Sequence, residues 1–410
     1  MIARLSRTQV ALIVLALLIR LTWVGAQSAR DGGSLTYDDE HLHWQLATNL
    51  VHRGELVSDD GRYAARTPLY PIFLALFAGM GPSGVIAARL AQALLSTLTV
   101  AIGTALADRL AGRRPATVAA TFLCFDPFSV FFAALLLNEV AFATVLMGLV
   151  AMLHSSPAGQ FRFGPALGLA ALAVSLVMLR PESIALLGLF AVAALFQLPN
   201  LASPARIARL AQLSSSAALL VAALGLWGWR NHTIFGEWVF LSCNGGVTLY
   251  DGVGPQADGS SNQSFLREMP ELASLSEPQR DRRLTELAAA EIARDPIRFA
   301  WLALHKVART WSLTPNVESH RTGAAATVSA LYTLTVLSLV AVGLARHCRR
   351  APALWSLLIP LLFSLMVTAV YIGSVRYRVP YMPLMAVLAG FAIAIESRPP
   401  RAVLDRIQPA

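Results

Sequence analysis

The sequence predicts an all-helical integral membrane protein with about ten membrane spans, and three observations carry that prediction. Of its 410 residues, 56% are hydrophobic and 14% are charged, whereas roughly a quarter of the residues of a soluble domain are charged. The mean hydropathy is +0.57. Apolar segments near the length a bilayer requires recur along the whole chain.

The first of these, Thr8 to Ala26, is long enough to span and lacks a small-residue cleavage site, so it reads as a retained signal-anchor helix. Further spans read at Gly84 to Leu106, Ala116 to Ala134, Glu139 to His154, Gly164 to Leu179 and Ser183 to Leu198. Four more follow at Ala211 to Gly228, Thr322 to Ala345, Ala351 to Tyr371 and Val379 to Ile395. Arginines orient them: Arg4, Arg7, Arg109, Arg113, Arg114, Arg162, Arg206, Arg209, Arg346, Arg349, Arg350, Arg398, Arg401 and Arg406 fall on one side, which the basic-loop bias makes cytoplasmic. Both termini are then cytoplasmic, with residues 399–410 as a tail. The formal charge of +9, in which Lys306 is the sole lysine, thus belongs to topology rather than to nucleic-acid binding.

Two long segments lie on the opposite side, Gln27 to Gly81 and Trp229 to Arg321, as decorations of a single membrane domain, 1–398. In the first, Leu42, Leu46, Ala47, Leu50 and Val51 share a helical face, while Gln45, Thr48, Asn49 and Arg53 face away, the pattern of a helix lying along a membrane surface. Thr67-Pro68 then opens an apolar helix, Leu69 to Met80, too short to span and therefore juxtamembrane. In the second, a charged helix from Glu277 to Ala293 precedes Asp295-Pro296, which opens a helix with Ala300, Leu304, Val307, Ala308 and Trp311 on one face. Asn244-Gly245-Gly246 and Asp258-Gly259-Ser260-Ser261 read as turns. Cys124, Cys243 and Cys348 lie far apart and form neither a disulfide framework nor a zinc spacing.

The leading chemical constellation is Tyr37-Asp38-Asp39-Glu40-His41-Leu42-His43, three acids flanked by two histidines just beyond the first span. A carboxylate there can serve as general base for an acceptor hydroxyl, and Asp39, Glu40 and His43 could also share a divalent ion. The competing reading is an N-cap, in which the aspartates satisfy free backbone N–H groups and the helix dipole.

Arginines at outer span boundaries form the second feature: Arg20, Arg66, Arg180, Arg230, Arg376 and Arg378. A planar guanidinium suits a phosphate at the interface, while snorkelling to the headgroups accounts for an isolated boundary arginine. Arg376-Tyr377-Arg378 places two positive charges in a very short outer connection, against the topological bias, which favours pairing with phosphate or carboxylate. Glu139 and Glu182, also at outer span ends, can face the same cavity or pair with an arginine.

Taken together, Asp39-Glu40 followed by Ala47-Thr48-Asn49-Leu50, Arg66-Thr67-Pro68-Leu69-Tyr70-Pro71, Leu179-Arg180-Pro181-Glu182, Trp229-Arg230-Asn231, Phe240-Leu241-Ser242 with Asn244-Gly245-Gly246, and Arg376-Tyr377-Arg378-Val379-Pro380 resemble the GT-C superfamily of integral-membrane glycosyltransferases. The likeness is to the branch around dolichyl-phosphate-mannose-protein mannosyltransferases and bacterial aminoarabinose transferases. It implies a GT-C-type bundle in the cytoplasmic membrane, with its site facing the exterior. It also implies a polyprenyl-phosphate-linked sugar donor, membrane lipids around the chain, and transfer with inversion to a lipid, protein or glycan acceptor. The family's first-loop acid maps onto Asp39, with Glu40 beside it. Arg66, Arg180, Arg376 and Arg378, with Arg20, are the candidates for the donor phosphate. The chain departs from the pattern in its additional acid, Asp38, which can shift the assignment by one, and in His43-Trp44 where relatives often carry tyrosine. On this resemblance, the large soluble C-terminal domain of some relatives is not expected here, which would leave acceptor recognition to the two outer segments.

The alternative class is a transporter or flippase for a lipid-linked sugar. That class calls for polar groups near the bilayer midplane and for related half-repeats. Here the charges gather at the outer ends of the spans instead.

Overall fold

The computed structural model describes residues 5–155, 161–317, 321–347 and 353–394. Arg4, Cys348, Arg349, Arg350, Arg398, Arg401, Arg406 and the tail 399–410 lie outside the described residues. All regular structure among the described residues is helical, and the helices are apolar enough to make this an integral membrane protein.

Helix α1 (Arg7–Asp31) starts at a capping box in which Ser6 and Gln9 satisfy each other's backbone amides. Residues 27–81 fold into α2 (Asp38–Arg53) and α3 (Leu69–Ala78), helices that the sequence pattern predicts. Next come α4 (Gly84–Ala111) and α5 (Arg113–Cys124), separated only by Gly112, whose φ of +87° is a backbone state that a side chain would disfavour. Then follow α6 (Pro127–Phe132), α7 (Glu139–Ser155), α8 (Phe163–Leu179), α9 (Ser183–Gln197) and the long α10 (Ser203–Phe235). The second long segment between apolar helices holds α11 (Gly245–Val253), α12 (Phe265–Glu268), α13 (Glu277–Arg294) and α14 (Pro296–Thr310). The chain returns through α15 (Gly323–His347), α16 (Ala353–Val370), α17 (Val375–Arg378) and α18 (Met382–Gly390).

Five helices among the described residues have the length and composition to cross a bilayer unaided: α1, α4, α9 together with the 3₁₀ turn that extends it to Asn200, α10 and α15. The apolar helices α3, α7, α8 and α16 are shorter. Two expected spans are broken. Within Ala116 to Ala134, Asp126 accepts from the Phe128 amide and starts a new helix at Pro127, because an Asp-Pro pair caps more readily than it continues a helix. Within Val379 to Ile395, only Met382–Gly390 is α-helical, with 3₁₀ turns on both sides. Its nine residues are all buried, so α18 is a core element enclosed by α4, α5, α15 and α16 rather than a lipid-facing span.

Two ends of the bundle can be told apart by their ties. At one, Gln9 of α1 donates to the Arg113 carbonyl at the start of α5, and Arg346 of α15 donates to the Ala392 carbonyl. At the other, Arg89 near the start of α4 pairs at 3.0 Å with Asp31 at the end of α1, and Asn138, before α7, donates to the Leu179 carbonyl closing α8. Residues 27–81 and 229–317 dock on this second end. Between the ends, α4 and α7 meet through Thr99 and Thr144 hydroxyls 2.8 Å apart and an apolar core that includes Phe142, Leu146 and Met147.

Two expected helix faces differ from the pattern. In α2, Asn49 is buried rather than outward, because its amide donates to the Val57 carbonyl and to Asp59 and so pins the following loop. In α14, the face bearing Ala300, Leu304 and Ala308 is exposed, while Leu302, Lys306 and Thr310 point inward.

Candidate active site

The segments that carry the charged residues meet because buried polar ties draw them together. Glu40 accepts from the Thr36 and Tyr37 amides at 3.1 and 3.2 Å, which caps α2, and its other oxygen accepts from the Leu136 amide at 2.7 Å. Capping of α2 therefore falls to Glu40, not to the aspartates. Both of its oxygens are spent on backbone, and it is fully buried. From α3, the Tyr70 hydroxyl donates to Gln92 of α4, and Gln92 donates to the Leu135 carbonyl. These ties set the start of α7, and with it Glu139, beside the first turn of α2.

There the side chains form a continuous ladder of alternating charge. Arg66 donates to Asp39 Oδ1 at 2.6 Å, Arg376 Nη1 donates to Asp39 Oδ2 at 2.5 Å, Arg376 Nε donates to Glu139 Oε1 at 2.5 Å, and Arg180 Nη2 donates to the same oxygen at 2.9 Å. Three guanidiniums against two carboxylates leave one formal positive charge, which suits an anion that enters with its own negative charge. The ladder is graded in exposure: the Asp39 side chain is 33% accessible and that of Glu139 is 0%. The Asp39 end is therefore partly open to solvent, while the Glu139 end is sealed.

Burial alone would raise the Asp39 carboxyl, but Arg66 and then Arg376 outweigh it and hold it far below the usual carboxylate range. His43 lies one turn further along α2, and burial, reinforced by the Arg66 charge, pulls its imidazole down to about 3. Its Nδ1 has no hydrogen-bond partner, and the ring meets Tyr70 edge-on at 4.8 Å.

Of the residues singled out by sequence, Asp39, Arg66, Arg180, Arg376 and Glu139 are brought together. Asp38 is exposed at the start of α2, and Glu182 sits half-buried at the start of α9. Arg20 and Arg378 lie elsewhere, with donors turned to other partners. Arg20 caps the end of α5 through the Leu123 and Cys124 carbonyls and bonds Ser96. Arg378 donates to the Ser312 carbonyl and the Thr333 hydroxyl and lies over the Phe128 ring. Arg230 donates to the Tyr63 and Leu56 carbonyls and so fastens the loop between α2 and α3. Among the described residues, no three of His, Cys, Asp and Glu converge as a metal site, and Asp39, Glu40 and His43 do not form one.

Two positioning groups escape sequence reasoning. Asn138 accepts from Arg180 Nε at 3.1 Å, and the Arg180 guanidinium lies 5.2 Å from the centre of the Phe142 ring. The only sequence signal for either is adjacency to Glu139.

No family model and no curated protein sequence matches this chain. Among solved structures, the chain is similar to the archaeal oligosaccharyltransferase AglB from Archaeoglobus fulgidus, solved with an inhibitory peptide and a dolichol-phosphate. The identity is 14% and the TM-score 0.49, over 97% of this chain and 50% of that one, so this chain spans about half its length. It is also similar to ArnT from Cupriavidus metallidurans bound to undecaprenyl phosphate, at 15% identity and a TM-score of 0.40, over 94% of this chain and 77% of that one. Both of those proteins belong to the GT-C superfamily of membrane glycosyltransferases.

Proposed function

We propose that this chain is a GT-C-type glycosyltransferase that moves a sugar from a polyprenyl-phosphate donor to an acceptor hydroxyl at the outer face of the membrane, with inversion and with Asp39 as general base. The observation that carries the reading is Arg376 bridging an accessible carboxylate, Asp39, to a sealed one, Glu139. A base and a phosphate-binding guanidinium are thereby held within one hydrogen bond of each other.

In this mechanism the acceptor oxygen forms its bond to the anomeric carbon as the bond from that carbon to the phosphate oxygen breaks on the opposite face. The hydroxyl proton passes to Asp39, and the electron pair leaves with the polyprenyl phosphate. The leaving group is already ionised, so it needs cations rather than a proton, and Arg66, Arg376 and Arg180 supply them. Glu139 holds Arg376 and Arg180 in place without meeting the reactants. At rest Asp39 is a weak base because two guanidiniums neutralise it. A phosphate that draws on Arg66 and Arg376 restores its proton affinity in the complex where that affinity is needed.

The test is mass spectrometry of membrane lipids and envelope glycans from cells lacking this protein, restored with wild type or with Asp39→Asn. Loss of one glycoform with accumulation of its polyprenyl-phosphate sugar, reversed by wild type alone, is the expected result. Equal restoration by both would replace this reading with transport of the lipid-linked sugar.

A further inference from the structure

The helix α14 is amphipathic in the reverse sense for a helix packed on a protein. Its outward face carries Ile297, Ala300, Trp301, Leu304 and Ala308, with Ile297 81% and Leu304 72% exposed. Its inward face carries the cations. Arg298 donates to the carbonyls of Val253, Gly254, Pro255 and Ala257, Lys306 donates to the Val370 carbonyl at the end of α16, and Arg309 donates to the Gly373 carbonyl. A helix bathed in water would place these groups the other way round.

We propose that α14 is an interfacial helix whose outward apolar face rests among the acyl chains at the outer edge of the bilayer. Two observations select lipid as the occupant. First, α14 is clamped by Lys306 to the last turn of α16, and the exposed row Leu362, Met366 and Val370 on α16 leads to that turn. The lipid-facing surface of an apolar helix thus continues onto α14. Second, the polar edge of the face is Trp301 with His305, whose rings lie 3.6 Å apart, the amphipathic kind of side chain found at headgroup level. Because Arg309 holds Gly373, three positions before Arg376, the lipid-seated helix also anchors the segment that presents Arg376. The inference does not depend on glycosyl transfer.

The test is spin-label accessibility in full-length protein reconstituted into phosphatidylethanolamine and phosphatidylglycerol nanodiscs, with the three native cysteines replaced. Labels are placed at Ile297→Cys and Leu304→Cys. Leu362→Cys serves as the acyl-chain reference and Glu286→Cys, exposed on α13, as the water reference. Collisions with oxygen should exceed those with a water-soluble nickel chelate at 297 and 304, as at 362, with the opposite order at 286. A water-like order at 297 and 304 would overturn the proposal. Protection from both reagents would overturn it too, since a second copy of the chain would then cover the face. Repeating the measurement in the Asp39→Asn background should give the same values, which separates this outcome from that of the transfer assay.

Discussion

Arg376 donates to Asp39 at 2.5 Å although 337 positions separate them in the chain, and the same guanidinium reaches Glu139 through Nε. The pair joins α2 to α17, so that a carboxylate on α2 and one on α7 are held together by one side chain with two directed donors.

A lysine at 376 would keep the charge and lose the fork. Its ammonium can meet one carboxylate, not two at fixed angles. A charge-assisted hydrogen bond is worth about 1.5–3 kcal/mol, so Arg376→Lys should weaken donor binding and turnover by roughly tenfold or more. Titration with a polyprenyl phosphate and a turnover assay on the same preparation would measure this. Retention of both would remove Arg376 from the site.

Arg378, its neighbour two residues on, should behave oppositely. Its donors serve the part-buried Ser312 carbonyl and the buried Thr333 hydroxyl, so Arg378→Met removes a donor from each at a cost of about 1–3 kcal/mol. The expected outcome is a lower thermal midpoint with unchanged donor affinity. A loss of affinity like that of Arg376→Lys would place Arg378 on the phosphate.

His43 should give the chain a pH dependence of stability. Its folded value is pulled down to about 3, against about 6.5 in the unfolded chain. Between those values the unfolded state binds more protons, so stability rises with pH across the window and falls as the medium is acidified below about 6.5. Asp39 has the usual carboxylate sign. With its folded value depressed, its contribution is complete above the unfolded carboxylate range and is lost only in stronger acid. Thermal midpoints measured from about pH 7 to about pH 4 should therefore fall for wild type. The slope should be shallower for His43→Gln, and an identical slope would assign the effect to another group.

Much of this site can be read from sequence because charges at the ends of apolar helices are conspicuous: Asp39, Arg66, Arg180, Arg376 and Glu139 stand out on that ground alone. What each charge is spent on does not follow from position in the chain. Glu40 and Asp39 are adjacent, yet Glu40 turns back onto amides contributed by Thr36, Tyr37 and Leu136, the last of them 96 positions away. Arg20 and Arg378 likewise cover carbonyls at helix breaks, and the break at Asp126-Pro127 is hidden within a run of apolar residues. The orientation of α14 is illegible for a related reason. Periodicity reveals that a helix has an apolar face, but whether that face meets protein or lipid depends on what the opposite face finds to bond.

Gly373 tests how closely the position of Arg376 depends on α14. Its amide donates to the Gly259 carbonyl and its own carbonyl accepts from Arg309. A Cβ at this residue would lie 2.5 Å from the Lys306 carbonyl oxygen and 2.6 Å from the Lys306 Cα. Those are backbone atoms, which cannot swing aside as the end of a side chain can, so Gly373→Ala must push the 371–376 segment away from α14. Overpacking of this kind costs about 1–3 kcal/mol. Because the displaced segment leads into Arg376, turnover should fall along with the thermal midpoint. Gly225→Ala is the control: it lies within α10 with nothing within 4 Å of its added carbon and should be neutral or slightly stabilising. If Gly373→Ala lowered the midpoint and left turnover intact, the Arg309 tie would be a fold contact only. Loss of both, with Gly225→Ala unaffected, would show that α14 sets the reach of Arg376 to Asp39.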